Sequence, residues 1–306
     1  MDTTILEKIC RRIDSYQDEA VNLEKGLTAI PALAPENDGE GEQKKSEFLQ
    51  AYLQQTLKCA DLQRYDAQDD RVPSGKRPNL IAKFKGSGPR TVWIMGHMDV
   101  VPPGDLSQWN GDPWTVRVEG DKIYGRGTED NQQAIVSSLL TAKSFIDEDI
   151  QPANNIGLIF VSDEETGNEF GIQYLLKEHK NLFKNDDLII VPDAGNEEGT
   201  LVEVAEKSIL WFRFKVKGRQ THASTPELGV NAHTASANLV VKLQTLYTIY
   251  EDVDPVFEPP GSTFEPTKKE ANVPNVNTIP GEDIFYLDCR VLPTHNIEHI
   301  KGDVAR

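Results

Sequence analysis

The chain opens with two stretches in which apolar side chains recur at helical spacing, Ile5, Ile9, Ile13 and Tyr16 in the first and Phe48, Leu49, Tyr52, Leu53 and Leu57 in the second. A period near 3.6 puts each set on one stripe, which predicts two amphipathic helices. Between them, PENDGEGEQKK is polar and glycine-containing and reads as a loop. Further on, short continuous apolar runs (NLIAKF, TVWIMG, IGLIFV and DLIIVP) alternate with helical patterns from about Asp130 to Asp147 and near Gly171 to His179. Runs without a polar face, interleaved with helices, predict an α/β domain built on a buried, largely parallel sheet.

After Glu206 the succession changes. SILWFRFKVKG predicts a strand, Asn231 to Tyr250 a helix, NVPNVNTI and DIFYLDCRVL two strands, and the stretch from Asn296 a second helix. The Pro-rich DVDPVFEPPGSTFEPTKK reads as a surface loop. This order matches a ferredoxin-like βαββαβ unit without its last strand. Two domains are therefore expected, an α/β domain over residues 1–206 and an α+β domain over residues 207–306. The helical pattern of Ile297, Ile300 and Val304 stops partway at Arg306, which reads as a chain cut short at its C-terminal end.

Composition narrows the function classes. With 38% hydrophobic residues and no apolar run long enough to cross a bilayer, a membrane-spanning protein is excluded. The N-terminal MDTTILEKICRRIDSYQDEA lacks the unbroken apolar core of a secretory signal, so a cytoplasmic location is expected. A net charge of -17 would repel a phosphate backbone, which argues against nucleic acid as a partner. Cys10, Cys59 and Cys289 are far apart and show no ligand spacing; they are expected to be buried free thiols rather than a disulfide framework or a cysteine zinc site.

Candidate chemistry gathers where the apolar runs end. TVWIMG runs into His97 and Asp99, IGLIFV into Glu164 and Glu165, and DLIIVP into Asp193, while the turn GRGTED sets Asp130 at a helix start. In open α/β sheets ligands collect at the carboxyl ends of strands, so one imidazole and several carboxylates would converge on a single edge. Each residue also has a plainer reading: a hydrogen-bonded structural His, an N-capping Asp, a solvated acidic turn, a turn-initiating Asp. Their joint placement favours a site. Carboxylate oxygens with imidazole nitrogen suit Zn(II), Co(II) or Mn(II), and so many acids call for two divalent ions rather than one. Asp99, two residues beyond His97, falls on the same strand face and is placed to hold the second imidazole nitrogen.

These residues lie in segments that resemble the signatures of the M20 metallopeptidases and deacylases. GHMDVVPPGDLSQWNGDPW with IYGRGTEDN is similar to the first signature, SDEETG to the second, PDAG to the third, and GRQTHASTPELGVNA to that of the lid. The resemblance implies two metal ions, with zinc first among the candidates: His97 and Asp193 on one, Glu165 on the other, and Asp130 bridging both. It further implies Glu164 as general base, Asp99 as the residue orienting His97, and a cis peptide after Asp130. From the lid it implies His222 as oxyanion stabiliser, and Asn277 and Arg290 as ligands of a substrate carboxylate. The implied reaction is hydrolysis of an amide bond in an N-acyl amino acid or short peptide by a metal-activated water, in a homodimer formed through the lid.

The chain departs from this pattern in two places. Asn131-Gln132-Gln133 stands where Met or Lys followed by Gly is commoner, and no C-terminal segment supplies the last histidine ligand; His295 and His299 belong to the second domain. The second metal would then be held by Asp130 and Glu165 alone, with weak occupancy and little activity expected of these 306 residues by themselves. A non-hydrolytic relative that dimerises or binds a ligand is the competing function, and the intact Glu164 argues against it.

Overall fold

Residues 3–196 and 198–306 are described by the structure, a computed structural model. They form two compact units, Met1–Leu201 and Val202–Arg306.

In the first unit the opening stripe becomes α1 (Thr3–Asp14), which buries Ile9, with Tyr16 buried just past its end. A second helix, α2 (Gln17–Thr28), follows where none was expected. Its buried face carries Glu24 and Thr28 beside Leu23 and Leu27, so its stripe looks polar in sequence. α3 (Gln43–Gln55) buries Leu49 and Leu53 as anticipated.

The strands are β1 (Asp61–Gln68), β2 (Lys76–Phe84), β3 (Thr91–His97), the short pair β4 (Arg117–Glu119) and β5 (Lys122–Tyr124), then, after α4 (Gln133–Asp147), β6 (Asn155–Val161), and, after α5 (Ile172–Glu178), β7 (Leu188–Ile190). The main sheet runs β1-β2-β6-β3-β7. β6, β3 and β7 are mutually parallel, whereas β2 is antiparallel to both of its neighbours, so the sheet is mixed. β1, DLQRYDAQ, is a polar edge strand that carries no apolar run to announce it. On one face Leu80, Leu158 and Phe160 pack with Leu49, Leu53 and Leu139; on the other Ile81, Trp93, Ile159 and Val161 pack with Leu175. Gly157 lies under Trp93, where a Cβ would come within 2.0 Å of Cε3. The expected burial does not extend to β7, whose Leu188, Ile189 and Ile190 are about half exposed at the sheet edge. Because β3, β6 and β7 run the same way, their carboxyl ends emerge on one side.

The second unit contains β8 (Ser208–Lys217), β9 (Thr221–His222), α6 (Ala232–Leu243), α7 (Leu246–Ile249), β10 (Thr263–Lys269), β11 (Thr278–Ile279), β12 (Glu282–Val291) and α8 (Ile297–Val304). An antiparallel sheet β10-β12-β8 packs Phe264, Phe285, Leu287 and Val291 against Leu243, Tyr250 and Ile300. Two expectations are corrected here. The Pro-rich stretch is not all loop: TFEPTKK forms β10, at a sheet edge where Pro266 is tolerated and the register shifts beside it. NVPNVNTI is not a strand beyond Thr278 and Ile279, because Pro274 cannot serve a ladder and Asn272 instead donates to buried Asp283 at 2.6 Å.

All three cysteines are free, but only Cys289 is buried; Cys59 is half-buried and Cys10 sits on the solvent face of α1, contrary to expectation.

Candidate metal centre

His97 is the last residue of β3, and its imidazole is almost wholly buried. Its Nε2 faces three carboxylates: Asp130 Oδ1 at 2.9 Å, Asp193 Oδ1 at 3.8 Å and Glu164 Oε2 at 3.9 Å. Asp130 reaches it from the turn Thr128–Gln132 ahead of α4, where Asp130 and Asn131 leave helical dihedrals and the bond between them is cis. Glu164 follows β6, and Asp193 follows β7. The donor atoms fall into two overlapping sets, His97 with Asp130 and Glu165, and His97 with Glu164 and Asp193, each with its atoms within 4.8 Å of one another. The structure therefore brings together the five ligand and base candidates of the first unit.

The electrostatics of this cluster suit a cation. Burial and then the charge of Asp130 push Glu165 up to about 7, and burial raises Glu164 as well. Burial would lower His97, but Asp99, Glu164 and Asp193 outweigh it and lift the imidazole to about 9. Carboxylates this close cannot all ionise without compensating charge, which protons or a divalent ion can supply. Glu165 Oε1 is buried and has no hydrogen-bond partner, as expected of an oxygen kept for a ligand. The donor set, one imidazole and several carboxylates, fits divalent metals.

Asp99 is fully buried behind His97. The nearest acceptor to His97 Nδ1 is the Asp99 backbone carbonyl at 2.9 Å, with the carboxylate Oδ1 at 3.5 Å. That carboxylate accepts the backbone N–H groups of Glu164 at 3.1 Å and Glu165 at 3.0 Å, so it also seats the acidic turn. Burial would raise Asp99, yet His97 and these two N–H groups hold it below its usual value.

Further buried residues line this floor. Asn131 is buried, accepts from His97 N–H at 3.2 Å and donates to Asp193 Oδ1 at 2.5 Å, tying the ends of β3 and β7 together. Gln132 is buried among Glu24, Thr28 and Lys45, and the amide orientation that satisfies them turns its nitrogen to Glu24 Oε2 at 3.2 Å and its oxygen to Lys45 Nζ at 3.3 Å. Asn131 closes the segment IYGRGTEDN, and both amides fall in the departure at Asn131-Gln132-Gln133. Glu42, Arg77 and Asp163 form a buried ionic group beside the turn. Asp163 lies within SDEETG, but nothing in sequence distinguishes Glu42 and Arg77 from solvated charges.

In the second unit His222 and Asn277 are brought together, with Asn277 Nδ2 3.3 Å from His222 Nε2 across the β9 and β11 pair. Arg290, on β12, is paired with Asp288 at 2.8 Å.

Comparison with known proteins places this geometry in a lineage. Residues 93–283 match the model of peptidase family M20/M25/M40. An uncharacterized metallohydrolase of Methanocaldococcus jannaschii is 42% identical over 288 residues, 92% of this chain and 70% of that protein. Succinyl-diaminopimelate desuccinylase of Coxiella burnetii is 27% identical over 291 residues, 94% of this chain and 72% of the enzyme. Among solved structures, an M20 family metallo-carboxypeptidase from Sulfolobus solfataricus superposes with a TM-score of 0.73 at 17% identity, covering 94% of this chain and 75% of its own, which establishes the likeness of fold. No helix among the described residues is long and apolar enough to cross a membrane. With donor sets at the strand ends and this degree of sequence identity, the chain belongs to peptidase family M20/M25/M40, a family of metal-dependent hydrolases.

Proposed function

We propose that the protein hydrolyses an amide bond of an N-acyl amino acid or short peptide, with two divalent metal ions held by His97, Asp130, Glu165 and Asp193. The observation that carries this reading is the convergence of His97, Asp130, Glu164, Glu165 and Asp193 in one cluster, with a buried Glu165 oxygen left unpartnered. Two such ions, zinc first and cobalt or manganese as alternatives, supply Lewis acidity that makes a water nucleophilic at neutral pH and polarises the scissile carbonyl.

The residues of the chain do the rest. Glu164, partly exposed at the mouth of the cluster, takes a proton from the attacking water and returns it to the leaving amine. Asp99 fixes the imidazole of His97 and the backbone of Glu164 and Glu165. In this reading Val202–Arg306 is a ferredoxin-like lid through which two copies dimerise, His222 meets the charge that develops on the carbonyl oxygen, and Asn277 and Arg290 hold a substrate carboxylate. The N-acyl amino acid class accords with the name of the Coxiella succinyl-diaminopimelate desuccinylase.

The test is Glu164→Gln, assayed on a panel of N-acyl amino acids and dipeptides alongside metal analysis. Metal content should stay at the wild-type level while turnover falls by about 10² or more. A variant that keeps near-normal rate removes Glu164 from the chemistry, and a wild-type chain that binds no divalent metal removes the reading as a whole.

A further inference from the structure

The acidic turn after β6 is held by a stretch of β2 that carries no family signature. Lys76 to Asn79 runs beside Ser162 and Asp163: Ser162 N–H donates to Asn79 Oδ1 at 3.1 Å, and Ser162 Oγ donates to the Pro78 carbonyl at 2.6 Å. Next to them lies Arg77, whose side chain is fully buried. Its Nε donates to Glu42 Oε2 at 2.7 Å and its Nη2 to Glu42 Oε1 at 2.5 Å, while Nη2 also reaches Asp163 Oδ1 at 3.5 Å. Glu42 Oε1 in turn accepts the Asp163 N–H at 3.3 Å. The ion pair thus grips Asp163 by both its backbone and its carboxylate.

Asp163 needs that grip. Its φ of +63° lies in the left-handed region, which a residue with a Cβ adopts at a cost, and it is the residue that turns the chain from β6 into Glu164 and Glu165. Its other carboxylate oxygen accepts the Phe170 N–H at 3.0 Å, and Thr166 Oγ bonds to the first, so the loop closes around it. A bidentate guanidinium and carboxylate buried here are expensive to desolvate and would be poorly replaced by a lysine, whose ammonium is a point charge.

We infer that Arg77, oriented by Glu42, is a positioning residue that aims the Glu164–Glu165 turn at the metal centre through Asp163. The inference rests on the proposed metal reading and assigns a function to a buried pair outside the donor sets. It is selective: Glu165 depends on this turn, whereas His97 and Asp193 are carried by β3 and the segment after β7.

A double-mutant cycle on the full chain tests it, with Co(II) affinity read from visible absorption and folding from circular dichroism. Arg77→Lys keeps the charge and loses the fork. It should weaken binding of the Co(II) ion that Glu165 would ligate at least tenfold and leave the ion on His97 and Asp193 within twofold, yet change the former less than twofold in a Glu165→Ala background, where the turn no longer supplies that ligand. Should Arg77→Lys fail to fold, the apolar pair Glu42→Leu with Arg77→Met, which removes both charges of the bidentate pair together, takes its place in the same cycle. An unchanged affinity in the single variant, or an equal loss in both backgrounds, overturns the inference. A wild-type chain that binds no Co(II) sinks the metal reading beneath it, an outcome distinct from either.

Discussion

Replacing Glu24 by Gln asks whether a carboxyl group near the candidate metal centre is protonated in the folded protein. Glu24 lies on α2, 4% exposed, with Lys45 and the Gln132 amide around it. Burial raises it from 4.5 to about 8, and the charge of Lys45 only partly offsets this. Between those values the folded chain keeps a proton that the unfolded chain has released, so Glu24 makes stability fall as pH rises through that window. At about 1.4 kcal/mol for each pH unit, the loss between pH 5 and 7.5 amounts to roughly 3 kcal/mol. Lys45, fully buried and lowered to about 8, acts with the opposite sign in a separate window: stability rises as pH climbs from about 8 to 10.5.

The assay is urea unfolding of wild type and Glu24→Gln in chelator-containing buffer, from pH 5 to 7.5, so that metal uptake adds no pH dependence of its own. Gln reproduces the neutral acid in shape, so the two should agree within about 1 kcal/mol at pH 5. The variant should then become the more stable by roughly 2–3 kcal/mol at pH 7.5, with equal m-values showing that the same transition is compared. Other titrating groups cancel in the difference. Parallel profiles would mean that Glu24 is ionised when folded and paired with Lys45, and the reasoning from burial would fail.

Two further expectations concern the fold. Gly157→Ala sets a methyl 2.0 Å from Trp93 Cε3 with both residues inside the sheet packing, and should cost about 1–3 kcal/mol or more, partly recovered when Trp93 is also reduced to Leu. Asn231→Ala removes the side-chain cap that accepts from the His233 and Thr234 N–H groups at the start of α6 and should lower stability by about 1 kcal/mol in thermal unfolding.

What could be read from sequence follows from local periodicity. β3 and β6 announce themselves because both of their faces are buried, which requires an unbroken apolar run, and α4 because one stripe of it meets the core. The polar residues at the strand ends are legible for the same reason: they stand where the apolar runs stop. β1 and β10 were not, since an edge strand needs no apolar face and tolerates Pro266. α2 stayed hidden because the charge of Glu24 masks its buried side.

The amino-acid sequence by itself determined the core elements, the order of the candidate ligating residues and, through its signatures, the family, because all of these are local patterns or their linear succession. Only the tertiary structure decided which charges are buried and what they hold. Glu42, Arg77 and Asp163 come from three separate segments and meet only when β2 pairs with β6, and Asn131 links His97 to Asp193 only when β3 lies between β6 and β7. A lone Arg or Asp in a string of residues is a solvated charge; long-range strand pairing removes the water, and the desolvated group must then find its partner or lose its charge.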